Sequence, residues 1–299
     1  MRTYPLHHVE TGQETLAYRT TGSGPAVILL HGDVSSSVHW QATMAALEDR
    51  FTVYAPDLRG SGDSTYHHRF DSLRELADDM GRFLDALAIG PCAVVGWSAG
   101  GGVAMELAAS RPEQVTTLVL VDPVPPTGYP IDAKDAMGRV IVGHMLTTQE
   151  AIANDPVQVV PALAALETRD KATMRAIMDT TMYHLHTPPE DDYDQYLEAA
   201  LQQRSLVDVD YSLATFNMTD QTAGGTRGSG RLAAIACPVV ILQGEQDIVV
   251  PLAWAQQTCA LFGERARLVT FPDCGHSPIT DDPEAFMAAL REALGGDQS

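Results

Sequence analysis

Lysine is almost missing from this chain: only Lys134 and Lys171 stand among its 299 residues. The 19 Lys and Arg face 39 Asp and Glu, for a formal charge of −20 and a pI near 4.7. Gripping a polyanion needs clustered Lys and Arg, so no nucleic-acid partner is expected. An anionic membrane surface is disfavoured for the same reason. Cysteine is scarce, and Cys92, Cys237, Cys259 and Cys274 show no CxxC spacing. Zinc-ribbon and disulfide-framework readings therefore fail, and a reducing cytoplasmic setting is expected. Long apolar runs are absent too. The longest, such as Ala26-Val-Ile-Leu-Leu30, are strand-sized, so no transmembrane helix is expected. Residues 1–8 lack an apolar core of signal-peptide length.

What remains is an ordinary globular balance, 45% hydrophobic and 19% charged, long enough for one large α/β domain or two smaller ones. Residues 15–20, 26–31, 51–55, 92–95 and 115–121 read as strands. Helical spacing lies between them. Trp40, Met44 and Leu47 mark a helix over 38–49, and Leu73, Leu76, Met80, Phe83, Leu84 and Leu87 mark one over 72–87. Asp71 or Ser72 caps the latter, and Gly90-Pro91 ends it. A third helix runs over 101–110 and stops at Arg111-Pro112. Apolar strands alternating with amphipathic helices predict a parallel sheet covered on both faces.

The pattern then changes. Residues 124–233 show no strand pattern, open on the loop chemistry of Val124-Pro-Pro-Thr-Gly-Tyr-Pro130 and close on Gly224-Gly-Thr-Arg-Gly-Ser-Gly230. Helices are expected near 132–147, 156–166, 170–185, 190–204 and 205–216. The sheet resumes with strands at 238–242 and 267–271 and helices at 251–261 and 283–294. This predicts a core of residues 1–123 and 234–299, with an all-helical lid, 124–233, over the carboxyl edge of the sheet. Open α/β sheets bind their ligands at that edge.

Gly96-Trp97-Ser98-Ala99-Gly100 matches G-x-S-x-G between an apolar strand and a helix, the context that gives this motif its meaning. A sharp strand-to-helix turn exposes the Ser98 hydroxyl at a helix N-terminus and demands small neighbours. A serine hydroxyl needs a base. His276, in the loop after the last strand, can return an imidazole to it, and Asp247, after the strand at 238–242, can orient that imidazole. Asp122, after the strand at 115–121, is an alternative acid, and Glu245 a third. Ser98, Asp247, His276 is the chain order expected of this motif. Cys274, two residues from His276, suggests sensitivity to thiol reagents.

These motifs, with His31-Gly32, Asp57-Leu-Arg-Gly-Ser-Gly-Asp-Ser64 and Gly275-His276, span residues 26 to about 295 in order, and the chain resembles the α/β-hydrolase superfamily in its capped serine esterase branch. The resemblance implies an eight-stranded, mostly parallel sheet flanked by helices, with the lid after strand 6. It implies a nucleophile elbow and a catalytic triad of Ser98, His276 and Asp247. It also makes the backbone amides of Asp33 and Ala99 the oxyanion hole, each donor commonly worth about 3 kcal/mol. Residues 57–64 match a loop that packs beside the site. An aspartate at position 33 departs from the family pattern. The expected reading is that its carboxylate accepts N–H groups of residues 34–37 ahead of the next helix; a contact to a substrate N–H or hydroxyl is the alternative. The stretch His31-Gly-Asp-Val-Ser-Ser-Ser-Val-His-Trp40 is also similar to haloalkane dehalogenases and acyl-homoserine-lactone lactonases. Dehalogenases and epoxide hydrolases use an aspartate nucleophile, which Ser98 rules out, so the lactonase likeness is the one that stands.

The expected function is therefore a cytoplasmic serine hydrolase that cleaves an uncharged, largely apolar carboxylic ester or lactone through an acyl-serine, with no metal or cofactor. Trp97, Met145, Tyr183, Met218 and Ile248 are the candidate substrate contacts, methionine suiting an adaptable apolar pocket. The alternatives on the same residues are a C–C bond hydrolase or a thioesterase. A ligand-binding receptor or a cofactor-free oxygenase would share the fold without using the triad.

Overall fold

The structure is a computed structural model that describes residues 2–295. Eight strands form one sheet: β1 (Leu6–Glu10), β2 (Thr15–Gly22), β3 (Ala26–Leu30), β4 (Thr52–Pro56), β5 (Cys92–Trp97), β6 (Val115–Val121), and two further on, Val239–Gly244 and Ala266–Phe271. Between β6 and Val239–Gly244 the insert adds β7 (Asp132–Lys134) and β8 (Val140–Met145), so the last two sheet strands are β9 and β10. The sheet order is β1-β2-β4-β3-β5-β6-β9-β10. β1 and β4 each pair antiparallel to β2, and every other pairing is parallel.

Parallel strands need crossovers, and helices supply them: α1 (Gln41–Leu47), α2 (Leu73–Ala86) and α3 (Ala99–Ser110) in the first part, and after the insert's own helices α9 (Leu252–Phe262), α10 (Pro278–Asp281) and α11 (Pro283–Ala293). Strand β3 shows why the pattern is so apolar. Ile28 and Leu30 face a core shared with α2 and α3, while Val27 and Leu29 face one shared with Trp40, Met44 and Phe286. β3 lies between β4 and β5, so the chain winds outward in opposite directions from β3 and β5. The carboxyl ends of those two strands are the switch point where α/β sheets place their ligands.

The insert carries α4 (Gln149–Ala153), α5 (Val159–Thr168), α6 (Lys171–Asp179), α7 (Glu190–Ala200) and α8 (Leu206–Ala214). It is not all helical. Where the spacing predicts a helix over 132–147, β7 and β8 pair as an antiparallel hairpin. Gly138 takes φ +76°, the Asp135 carboxylate accepts the amides of Met137 and Arg139, and Val140-Ile-Val142 is β-branched. Together these outweigh a weak helical spacing. Other elements escape the sequence pattern: the short α4 and α10, and β1, whose Leu-His-His-Val-Glu is an exposed edge strand with little apolar content. The helix expected from residue 38 opens as a 3₁₀ turn, Ser37–Trp40.

The loop over 57–64 is tied down by charge. Arg59 reaches α2 through a two-bond ion pair with Asp79, Nε to Oδ2 at 2.7 Å and Nη2 to Oδ1 at 2.8 Å, with both side chains buried. The buried Asp57 carboxylate accepts the amides of Ser37 (2.7 Å) and Asp63 (3.0 Å). Among the described residues no helix is long and apolar enough to cross a membrane.

Candidate active site

Ser98 stands between β5 and α3 with φ 54° and ψ −120°, a region that a side chain enters only when its surroundings force it. The neighbours explain how. A Cβ at position 100 would collide with the carbonyl oxygens of Leu30 and His31, so only glycine lets α3 pass this close to the end of β3. Strain clusters here. Val34 (φ 49°), Ser98 and Asp122 (φ 41°) are non-glycine residues with positive φ, and they follow β3, β5 and β6.

The Ser98 hydroxyl lies 2.9 Å from His276 Nε2, and His276 Nδ1 lies 2.8 Å from Asp247 Oδ2. Four donors converge on the Asp247 carboxylate. The amides of Val249 (2.7 Å) and Val250 (2.9 Å) donate to Oδ1, and Gln243 Nε2 (3.3 Å) joins His276 at Oδ2. The Nδ1 proton is thereby directed to Asp247, which leaves Nε2 as the acceptor facing Ser98. His276 is anchored by its backbone as well, its carbonyl accepting the Trp97 indole N–H at 2.8 Å.

Asp122 is fully buried next to this pair. Its Oδ1 accepts the amide of Gly244 at 2.8 Å, and its Oδ2 has no partner. Burial, then the Asp247 charge, push its acid well above the ordinary carboxylate range. The structure thus gives His276 to Asp247, with Asp122 beside the pair and bonded to the Gly244 amide instead. Ligand atoms of Asp122, Asp247 and His276 lie within 4.8 Å of one another, but Nδ1 and Oδ2 are already engaged with each other.

The other sequence candidates divide. The amides of Asp33 and Ala99 follow the ends of β3 and β5, and the Ala99 amide belongs to the unpaired first turn of α3. A Cβ at Gly32 would lie 3.0 Å from Ser98 Cβ, so the β3 loop packs directly on the serine. The Asp33 carboxylate meets one of the backbone N–H groups expected of it, the Val34 amide, but does not cap the next helix. Ser36 caps the 3₁₀ turn, accepting the Val38 amide, while Asp33 Oδ1 accepts Gln203 Nε2 from the insert at 2.6 Å. Burial raises the Asp33 acid to about 6, with that hydrogen bond opposing the rise. His31, just before, is neutral by geometry: Nδ1 donates to the Gly32 carbonyl and Nε2 accepts the Leu58 amide.

Of the five candidate substrate contacts, Trp97 lies within the site as a support for His276. Ile248, 60% exposed, sits beside Asp247 at the surface. The other three are placed elsewhere. Tyr183 packs edge-on against Tyr193 in the insert, Met218 is fully buried in the core that includes α3, and Met145 lines a separate cavity of about 180 Å³ with Pro125, Gly224 and Trp254. Packing demand explains the first two, because each is drawn into a core on one face of the sheet, Met218 with residues of α3 and Tyr183 with Trp97. Cys274 is buried and burial pushes its thiol up to about 12, which disfavours the reactive thiolate. Gln203 is the residue sequence reasoning misses, since Leu201-Gln-Gln-Arg204 carries no motif.

The family model described as the alpha/beta hydrolase fold matches residues 25–283. An uncharacterised protein of Mycobacterium tuberculosis is 32% identical over 276 residues, covering 91% of this chain and 75% of its own length. A pimeloyl-[acyl-carrier protein] methyl ester esterase of Nitrosomonas europaea is 29% identical over 281 residues, covering 91% of this chain and 96% of its own. Among solved structures, a hydrolase from Pseudomonas aeruginosa superposes with a TM-score of 0.74 at 23% identity, covering 99% of this chain and 100% of that one.

Proposed function

The chain belongs to the α/β-hydrolase fold family, and from that premise we propose that it is a cytoplasmic serine hydrolase that cleaves a small, uncharged, largely apolar carboxylic ester or lactone. The observation that carries this reading is the chain of hydrogen bonds from Ser98 to His276 to Asp247, 2.9 and 2.8 Å long, laid across loops that follow β5, β10 and β9. The esterase of Nitrosomonas europaea supports an ester as the bond attacked.

The chemistry follows from the geometry. His276 Nε2 takes the Ser98 hydroxyl proton as the oxygen attacks the substrate carbonyl, and Nδ1–H stays on Asp247. The tetrahedral oxyanion is received by the backbone amides of Asp33 and Ala99. The α3 N-terminus adds a favourable field. The imidazolium then returns its proton to the leaving alkoxide. Water, deprotonated by the same Nε2, releases the acid from Ser98. Asp247 keeps its charge throughout. On this reading the insert serves as a lid over this edge of the sheet.

A panel of p-nitrophenyl acetate, butyrate and octanoate with γ- and δ-lactones tests the reading. Turnover with a chain-length optimum is expected. A folded protein that hydrolyses no member of the panel would contradict it.

A further inference from the structure

Val34 is a β-branched residue held at φ 49°, immediately after the amide assigned to the oxyanion hole. Such a conformation persists only where neighbours over-determine it. One side chain does so here. Gln203, buried between α7 and α8, accepts the Val34 amide on Oε1 at 2.7 Å and donates Nε2 to Asp33 Oδ1 at 2.6 Å. A planar amide fixes both bonds at once, so the backbone of Val34 and the carboxylate of Asp33 are set relative to each other. Gln203 is itself seated. The next residue donates its amide to the Gly60 carbonyl at 2.7 Å and its guanidinium to the carbonyls of Gly62 and Ser64. This stretch of the insert is therefore bolted to the loop over 57–64.

We propose that Gln203 is a positioning residue for the oxyanion hole. It aligns the Asp33 amide through Val34, and it holds the Asp33 carboxylate away from the developing oxyanion. The proposal rests on the serine-hydrolase reading. It also explains how an acidic side chain is tolerated at position 33. Charge there opposes an oxyanion unless a donor captures it, and among the described side chains the Gln203 amide is that donor.

The test compares kcat and KM for p-nitrophenyl butyrate in Gln203→Met, which keeps the volume and removes both bonds, with melting temperature recorded alongside. The expected result is a loss of about 10–100-fold in kcat with KM within about threefold, as for a misaligned rather than deleted donor. Adding Asp33→Asn to that variant removes the freed charge and is expected to restore kcat about fivefold or more, which a purely structural glutamine would not allow. A kcat within twofold of the parent, a loss confined to KM, or a double variant no faster than Gln203→Met each overturns the proposal. Should Gln203→Met fail to fold, Gln203→Glu keeps the acceptor for Val34 and loses its donor to Asp33 only when the proton shared by the two carboxyls is gone, so its kcat, unlike the parent's, is expected to fall about 10–100-fold as the pH rises through that titration. Ser98→Ala in parallel separates the two levels. Activity surviving in Ser98→Ala sinks the serine-hydrolase reading. Activity lost there but intact in Gln203→Met sinks only this one.

Discussion

Ser98→Ala is expected to lower kcat for a p-nitrophenyl ester by about 10⁶-fold while leaving KM within a few-fold. The side chain removed is the atom that bonds to the substrate, so no rearrangement of neighbours replaces it. The fold should tolerate the change. The hydroxyl contributes one hydrogen bond, to His276, and alanine accepts the same backbone as readily as serine. The amides of Asp33 and Ala99 remain, and they should leave a residual rate of about 10³-fold over water. Steady-state kinetics on purified protein, with circular dichroism to confirm folding, measures both quantities. A loss below tenfold would mean that the reacting atom lies elsewhere.

The second large effect concerns the choice between two carboxylates. Asp247→Asn is expected to cost about 10⁴ in kcat, and Asp122→Asn less than about threefold. Asparagine at 247 keeps its oxygen on the Val249 and Val250 amides and so turns its N–H₂ group toward His276 Nδ1. It thereby favours the tautomer whose Nε2 carries the proton and cannot accept the one on Ser98. The imidazolium that forms during attack also loses its counter-charge. Asp122 differs in its partners, not in burial. It makes no bond to His276, burial and the Asp247 charge push its acid well above the ordinary range, and an asparagine oxygen can keep its bond to the Gly244 amide. Equal losses in the two variants would contradict this division. So would a larger loss for Asp122→Asn.

Much of this is legible in the sequence alone. Strands buried on both faces leave continuous apolar runs, which is why β3, β5 and β6 can be placed from pattern alone. The turn at Ser98 writes itself into the sequence because its steric demands fall on adjacent positions, the glycines at 96 and 100. The insert is harder to read. Tyr183 and Met218, which look like pocket residues, are drawn into the cores on the two faces of the sheet. The hairpin of β7 and β8 depends on turn chemistry at Asp135 and Gly138, which a helical spacing of apolar residues conceals. Gln203 has no local signature at all. Its importance arises from two bonds to residues about 170 positions earlier, and only the fold brings them together.

The most direct measurement is stoichiometric labelling by a fluorophosphonate, which phosphonylates only an activated serine. Intact mass spectrometry counts the adducts and peptide mapping places them. The account predicts one adduct per chain, on Ser98, abolished in Ser98→Ala and slowed at least about 10³-fold in His276→Ala. A folded protein that takes no label, or takes it on another residue, would contradict the claim that His276 and Asp247 make Ser98 a nucleophile.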